Sequence, residues 1–73
     1  MIHHFTDHPI RMSHELEAGK IHVFFRREAA LLWVRPAAIE RVEVIADAVE
    51  AGGAIDVDWD PNTLEIVGAR QGT

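Results

Sequence analysis

The sequence predicts an α+β fold of two layers, in which a small antiparallel sheet packs on one helix. Apolar residues recur at helical spacing between Pro36 and Gly53, whereas the segments on either side alternate apolar and polar residues with a period of two. Turn residues separate the alternating runs. The expected order is β-β-β-α-β-β, a three-stranded meander, one helix and a C-terminal hairpin, forming a single domain over residues 1–73.

Residues 1–9 have no regular periodicity, and we expect them to form a flexible arm or a short edge strand. The first strand follows, because Ile10, Met12 and Leu16 alternate with polar residues as in a half-buried strand. Lys20 to Arg26 shows the same alternation and predicts a second strand. The meander therefore begins after the arm.

A tight turn at Ala18-Gly19 is predicted to join the first two strands, since glycine accepts a positive φ. This register places Glu17 opposite Lys20. A second turn near residues 27–28 brings a third strand, residues 30–35, back against the second. Residues 13–33 could instead form a helix, because Ser13 is a good helix cap and helix formers follow residue 26. The apolar run at residues 21–25 favours strands.

The helix is predicted from an apolar row, Ile39, Val42, Ile45 and Val49, beside an acidic row. Pro36 suits its first turn, where a missing N–H costs nothing. A glycine at position 52 or 53 can end it in the left-handed conformation. This face is expected to cover the sheet.

The final hairpin is predicted from the alternation of Ile55, Val57 and Trp59 with aspartates, followed by a turn at Pro61-Asn62. Residues 64–69 would form the return strand. That register sets Trp59 against residue 64 and Val57 against residue 66. It also places residues 58 and 65, both acidic, opposite one another, which is unfavourable in isolation.

The net charge of −5 is concentrated in the second half of the chain. Residues 1–35 carry five basic and four acidic side chains, whereas residues 36–73 carry two basic and eight acidic ones. An acidic half repels nucleic acid and anionic membranes and attracts basic partners. The chain has no cysteine and no signal-peptide pattern, so we expect a cytoplasmic protein without disulfides or thiolate metal sites.

An apolar cluster is expected on the outer face of the meander, which one helix cannot cover. Phe24, Leu31 and Trp33 share this face in the predicted register. Exposed clusters of this kind mark interfaces, and Trp33 would be the anchor of a partner or dimer contact. The alternative is that the arm or the last hairpin folds over them.

Two acidic rows are the strongest candidate for function. They comprise Glu40, Glu43, Asp47 and Glu50 on the helix, and Asp56, Asp58, Asp60 and Glu65 on the hairpin. They predict a non-enzymatic binding module that docks on a basic protein surface, such as that of a nucleic-acid-binding protein. Small inhibitors that imitate a phosphate backbone work in this way. Each row could also be a solvated surface.

Metal binding and catalysis have weaker support. His3, His4 and His8 could bind a transition metal, but their spacing matches no compact zinc signature. No catalytic motif is recognisable, and no cofactor is expected. A metal-handling protein and a purely structural homo-oligomeric subunit therefore remain the alternatives to the binding module.

Overall fold

The computed structural model describes residues 1–72 and contains one helix and two antiparallel sheets of three strands each. The α+β class is confirmed, with one strand more than expected, in the order β-β-β-β-α-β-β. The elements are β1 (His3–Asp7), β2 (Pro9–Glu15), β3 (Lys20–Phe25), β4 (Leu32–Val34), α1 (Ile39–Ala51), β5 (Ile55–Trp59) and β6 (Ile66–Gln71). Residues 1–9 thus hold an edge strand, one of the two expectations, rather than a flexible arm.

The two sheets share one core and are connected to each other at two places. One sheet has the order β1-β5-β6 and the other β2-β3-β4. On one side the chain itself joins them, because only His8 separates β1 from β2. The carbonyl of His8 also accepts the N–H of Arg26, which follows β3, at 2.9 Å. On the other side, Trp33 and Glu65 form a single parallel bridge between the sheets. The helix packs against β2, β5 and β6.

Both sheets and the helix contribute to one core. Its buried apolar residues are Ile21, Val23, Phe25, Leu32, Val34, Ile45, Ala48, Ile55, Val57 and Ile66. Phe5 of β1 packs edge-on against Phe25, with 5.0 Å between ring centroids, and so joins the core across the two sheets. No helix within residues 1–72 is long and apolar enough to cross a membrane.

The helix is placed as predicted, and Val42, Ile45 and Val49 of its apolar row pack on the core, whereas Ile39 does not. Its buried residues are Ile45 and Ala48, while Ile39 is 64% exposed at the first turn. Pro36 lies outside the helix, which begins at Ile39, and Gly52 ends it with a φ of 71°. The left-handed C-terminal glycine is confirmed, and the position of Pro36 in the first helical turn is wrong.

The predicted strand register is confirmed for the second hairpin of the meander and is wrong for the first. β3 and β4 pair in the predicted register, with Val23 opposite Leu32. In the first hairpin, however, Lys20 lies opposite Glu15 rather than Glu17, because the turn spans the four residues 16–19. Leu16 is consequently 80% exposed at the hairpin tip. The alternative helix over residues 13–33 is wrong.

The register of the last hairpin also differs from the prediction. Trp59 lies opposite Ile66 because the turn is longer than expected, and the register then shifts between Asp58 and Trp59, where β6 has the extra residue Val67. Leu64 closes the turn with a positive φ of 66°. Asp58 faces Gly68 instead of Glu65, so the expected pairing of like charges is wrong.

A buried carboxylate fastens β1 to the loop after β3. Asp7 is 2% exposed and accepts the backbone N–H groups of His8 at 2.7 Å, Arg27 at 2.8 Å and Glu28 at 2.9 Å. The Arg27 side chain adds an ion pair at 3.6 Å. Burial raises the pKa of Asp7, but the three N–H donors and Arg27 outweigh it, so the pKa lies below its ordinary value.

Candidate functional site

A polar groove crosses the outer face of the β1-β5-β6 sheet. Its polar side chains are those of His4, Thr6, Asp56, Asp58 and Arg70. They meet because strand pairing sets His4 beside Asp58, Thr6 beside Asp56, and Asp56 beside Arg70. The groove is open to solvent and has a volume of about 470 Å³.

Asp58 is the electrostatic centre of the groove. Nη1 of Arg70 donates to its Oδ2 at 2.8 Å, and Nδ1 of His4 lies 2.5 Å from its Oδ1. The Arg70 guanidinium and the His4 imidazole lower the pKa of Asp58 to about 2. The absence of a side chain at Gly68 makes room for the Asp58 carboxylate. A Cβ at residue 68 would lie 2.7 Å from Oδ2 of Asp58.

The groove can bind a polar group and accept a proton. Because Asp58 is ionised at neutral pH, Nδ1 of His4 carries the hydrogen that it donates, which leaves Nε2 as the basic nitrogen. The His4 side chain is 70% exposed. The hydroxyl of Thr6 donates to Asp56 at 2.6 Å, so it is not activated by the imidazole.

This cluster was missed by the sequence prediction, which assigned residues 1–9 no definite structure. The signal was present in part, because His4 and Thr6 are two residues apart and share one face of a strand. The partner strand offers Asp56 and Asp58 at the same spacing. Only the pairing of β1 with β5, across 50 to 54 residues of sequence, brings the two pairs together.

The two predicted acidic rows have different environments. Glu40, Glu43, Asp47 and Glu50 are exposed, and none forms an ion pair within residues 1–72. The hairpin carboxylates are partly buried and engaged. Asp60 accepts the N–H of Asn62 at 2.8 Å, Glu65 pairs with Arg35 at 3.1 Å, and Asp56 and Asp58 belong to the groove. Binding of a partner by either row stays a prediction.

The predicted apolar cluster is partly covered by cations. The guanidinium of Arg11 lies 4.3 Å from the ring centre of Phe24, and the ammonium of Lys20 lies 4.6 Å from that of Trp33. Leu31, which precedes β4, is 46% exposed. These three apolar residues remain candidates for an interface, on a surface that is both basic and aromatic.

The three N-terminal histidines have separate partners. His3 packs edge-on against Trp59, with 5.1 Å between ring centroids, His4 contacts Asp58, and Nδ1 of His8 lies 3.2 Å from the carbonyl of Gly52. Within the described part of the chain, no three His, Cys, Asp or Glu side chains are grouped so that they could hold a metal ion.

Comparison with solved structures finds two chains of similar fold. The structure of pro-protein-glutaminase matches 99% of this chain with a TM-score of 0.85 and 20% sequence identity. A mutant of pro-protein-glutaminase matches 100% of it with a TM-score of 0.86 and 18% identity. In each case the match covers 26% of the solved chain. No protein-family model and no curated protein matches this sequence.

These neighbours overturn the predicted function. The acidity of the second half was interpreted as a non-enzymatic module, an inhibitor or nucleic-acid mimic, yet both neighbours are forms of an enzyme precursor. The alternatives of a metal-handling protein and a purely structural subunit find no support in them either. At this sequence identity the likeness shows the fold alone. This chain is thus similar in fold to about a quarter of pro-protein-glutaminase.

Proposed function

We propose that this chain provides one domain of a protein-glutaminase system, which hydrolyses side-chain amides of glutamine residues in proteins. The observation that carries the proposal is the match over 99% of the chain at a TM-score of 0.85. In the reaction, water and the amide give a carboxylate and ammonia. Because the match spans only a quarter of the neighbour, the remaining parts of such a system lie outside these residues.

The domain does not complete an active site by itself. Amide hydrolysis needs an activated nucleophile or water together with a base and a stabilised oxyanion. The sequence has no cysteine, and the Thr6 hydroxyl is committed to Asp56. His4 is the one imidazole of the groove, and its Nδ1 contacts Asp58. We therefore propose that this chain is not an enzyme alone and acts in the cytoplasm with catalytic residues from elsewhere.

Deletion of the gene in its native host tests this role. Extracts would be incubated with a denatured, glutamine-rich protein, and ammonia release would be measured together with conversion of glutamine to glutamate by mass spectrometry. We expect the deletion to reduce conversion of protein-bound glutamine and the wild-type gene to restore it. Hydrolysis of free glutamine is the matched control and should not change.

The variant Asp7→Ala serves as a negative control for complementation, since it removes the carboxylate that fastens β1. The purified wild-type chain alone should release no ammonia. Unchanged glutamine conversion in the deletion strain would contradict the proposed role. Ammonia release by the pure chain would show that these residues form a complete enzyme.

A further inference from the structure

The outer face of the β2-β3-β4 sheet carries a row of basic and aromatic side chains. Ile21, Val23 and Phe25 of β3 are buried, so Lys20, His22 and Phe24 point outward. The N–H of Arg26 extends the strand pairing to the carbonyl of residue 8, and its exposed side chain continues the row. Trp33 of β4 lies beside residue 22.

The cations on this face are held in place but are not neutralised. Arg11 and Lys20 rest on the rings of Phe24 and Trp33. Within residues 1–72, neither they nor Arg26 form an ion pair. The one carboxylate on the paired strands of this face belongs to Glu15, which lies 3.3 Å from Nδ1 of His22. Three cations and one carboxylate leave the face with a local excess of positive charge.

We propose that this face binds an acidic polypeptide segment that also carries apolar side chains. A guanidinium stacked on a ring still directs N–H groups outward, where they can pair with a carboxylate. The ring of Trp33 is itself fixed, because its Nε1–H donates to the carbonyl of Thr63 at 2.8 Å. The edges of Phe24 and Trp33, with the exposed Leu31, offer apolar contact between the charges.

Single-stranded nucleic acid fits this face less well. Proteins that bind it offer open aromatic faces on which bases stack. Here Arg11 and Lys20 already cover the rings of Phe24 and Trp33. The net charge of −5 also repels a long polyphosphate. For a short acidic segment the local charge matters most, because the screening length is about 8 Å at 0.15 M salt, whereas the molecule is 21–32 Å across.

The proposal does not depend on the protein-glutaminase role and is tested by binding alone. A fluorescein-labelled peptide of alternating glutamate and leucine would be titrated with the chain, and fluorescence anisotropy recorded at 0.05 M and 0.15 M salt. Peptides with glutamine or lysine in place of glutamate are the controls. We expect the glutamate peptide to bind at least about tenfold more tightly than either control and to weaken as salt increases.

Two double variants with the same net charge locate the binding surface. Arg11→Gln with Lys20→Gln removes two cations from the face, and we expect it to weaken binding of the glutamate peptide by about tenfold or more. Arg35→Gln with Arg41→Gln removes two cations whose contacts lie outside this face, and it should leave binding within about twofold. Circular dichroism would verify that both variants are folded.

Four outcomes would overturn the proposal. The first is that no peptide binds. The second is that both double variants weaken binding equally, which would reflect net charge alone. The third is that a single-stranded oligonucleotide binds more tightly than the glutamate peptide and loses affinity in the Arg11 and Lys20 variant. The fourth is that the chain self-associates at low salt and this variant abolishes the association, which would make a second copy the occupant of the face.

Discussion

Replacement of Asp7 is expected to destabilise the fold more than replacement of any other single carboxylate in the structure. Its two oxygens accept three backbone N–H groups, two of which, from Arg27 and Glu28, belong to the loop between β3 and β4. This loop joins two strands of one sheet, and Asp7 belongs to the other sheet. The side chain therefore stabilises the contact between the two sheets.

The magnitude follows from those contacts. A hydrogen bond to a charged group contributes about 1.5–3 kcal/mol, and breaking a buried charge pair costs about 3–5 kcal/mol. We expect Asp7→Ala to lower the free energy of unfolding by about 3–5 kcal/mol. Domains of this size are stable by roughly 4–11 kcal/mol in total, at 0.05–0.15 kcal/mol per residue. The variant would therefore be marginally folded.

The loss should depend on pH in a defined direction. The pKa of Asp7 is lower in the folded than in the unfolded chain, where it is about 3.9. A depressed pKa contributes stability that is complete above the unfolded value and is lost as the pH falls through the folded value. The difference in stability between the wild type and Asp7→Asn should thus be constant above about pH 5 and shrink below about pH 4.

Urea unfolding followed by circular dichroism and tryptophan fluorescence measures both effects. The matched control is Asp56→Ala, which removes a carboxylate bonded to the exposed Thr6 and should cost less than about 1 kcal/mol. If Asp7→Ala and Asp56→Ala cost the same, or if the Asp7→Asn difference grows as the pH falls from 5 to 3, the reasoning from the buried carboxylate is refuted.

Two further predictions concern the last hairpin. Leu64→Asn should stabilise the chain by about 0.5–1 kcal/mol in urea unfolding, because asparagine tolerates the positive φ of 66° better than leucine. A loss of stability would show that the Leu64 side chain contributes more than the backbone strain costs. Gly68→Ala should displace the Asp58 carboxylate and raise its pKa above about 2, measured by NMR titration, since the added Cβ would lie 2.7 Å from Oδ2. An unchanged pKa would show that the structure accommodates the added methyl group without moving the Asp58 carboxylate.

The helix and the pairing of β3 with β4 could be predicted because local patterns determine them. A left-handed glycine at position 52 ends the helix, and the apolar rows of β3 and β4 match in one register that buries Val23 and Leu32. The exposure of Ile39 could not be predicted in the same way. Ala48 is small enough to approach the sheet, whereas Ile39 lies at the first turn, beyond the core.

The register of the first hairpin was mispredicted because Ala18-Gly19 was taken as a two-residue turn. Gly19 instead takes its positive φ of 64° as the last residue of a four-residue turn. The pairing therefore shifts by two residues, which keeps Met12 on its expected face but moves Leu16 beyond the end of the opposing strand. A second register shift lies between Pro9 and Arg11, and Ile10, expected to be buried, is 56% exposed. Turn length in such a hairpin depends on the contacts that the strands make, and local sequence patterns do not determine these contacts.

The candidate site could not be predicted from local sequence patterns, for a related reason. The predicted register set Asp58 against Glu65, a pairing of like charges that a basic surface or a cation nearby would relieve. The longer turn and the extra residue in β6 remove that pairing within the chain itself, placing Arg70 on Asp58 and leaving Glu65 to Arg35. Because both carboxylates are neutralised internally, the acidity of the hairpin sequence is not a measure of the charge that it presents to a partner.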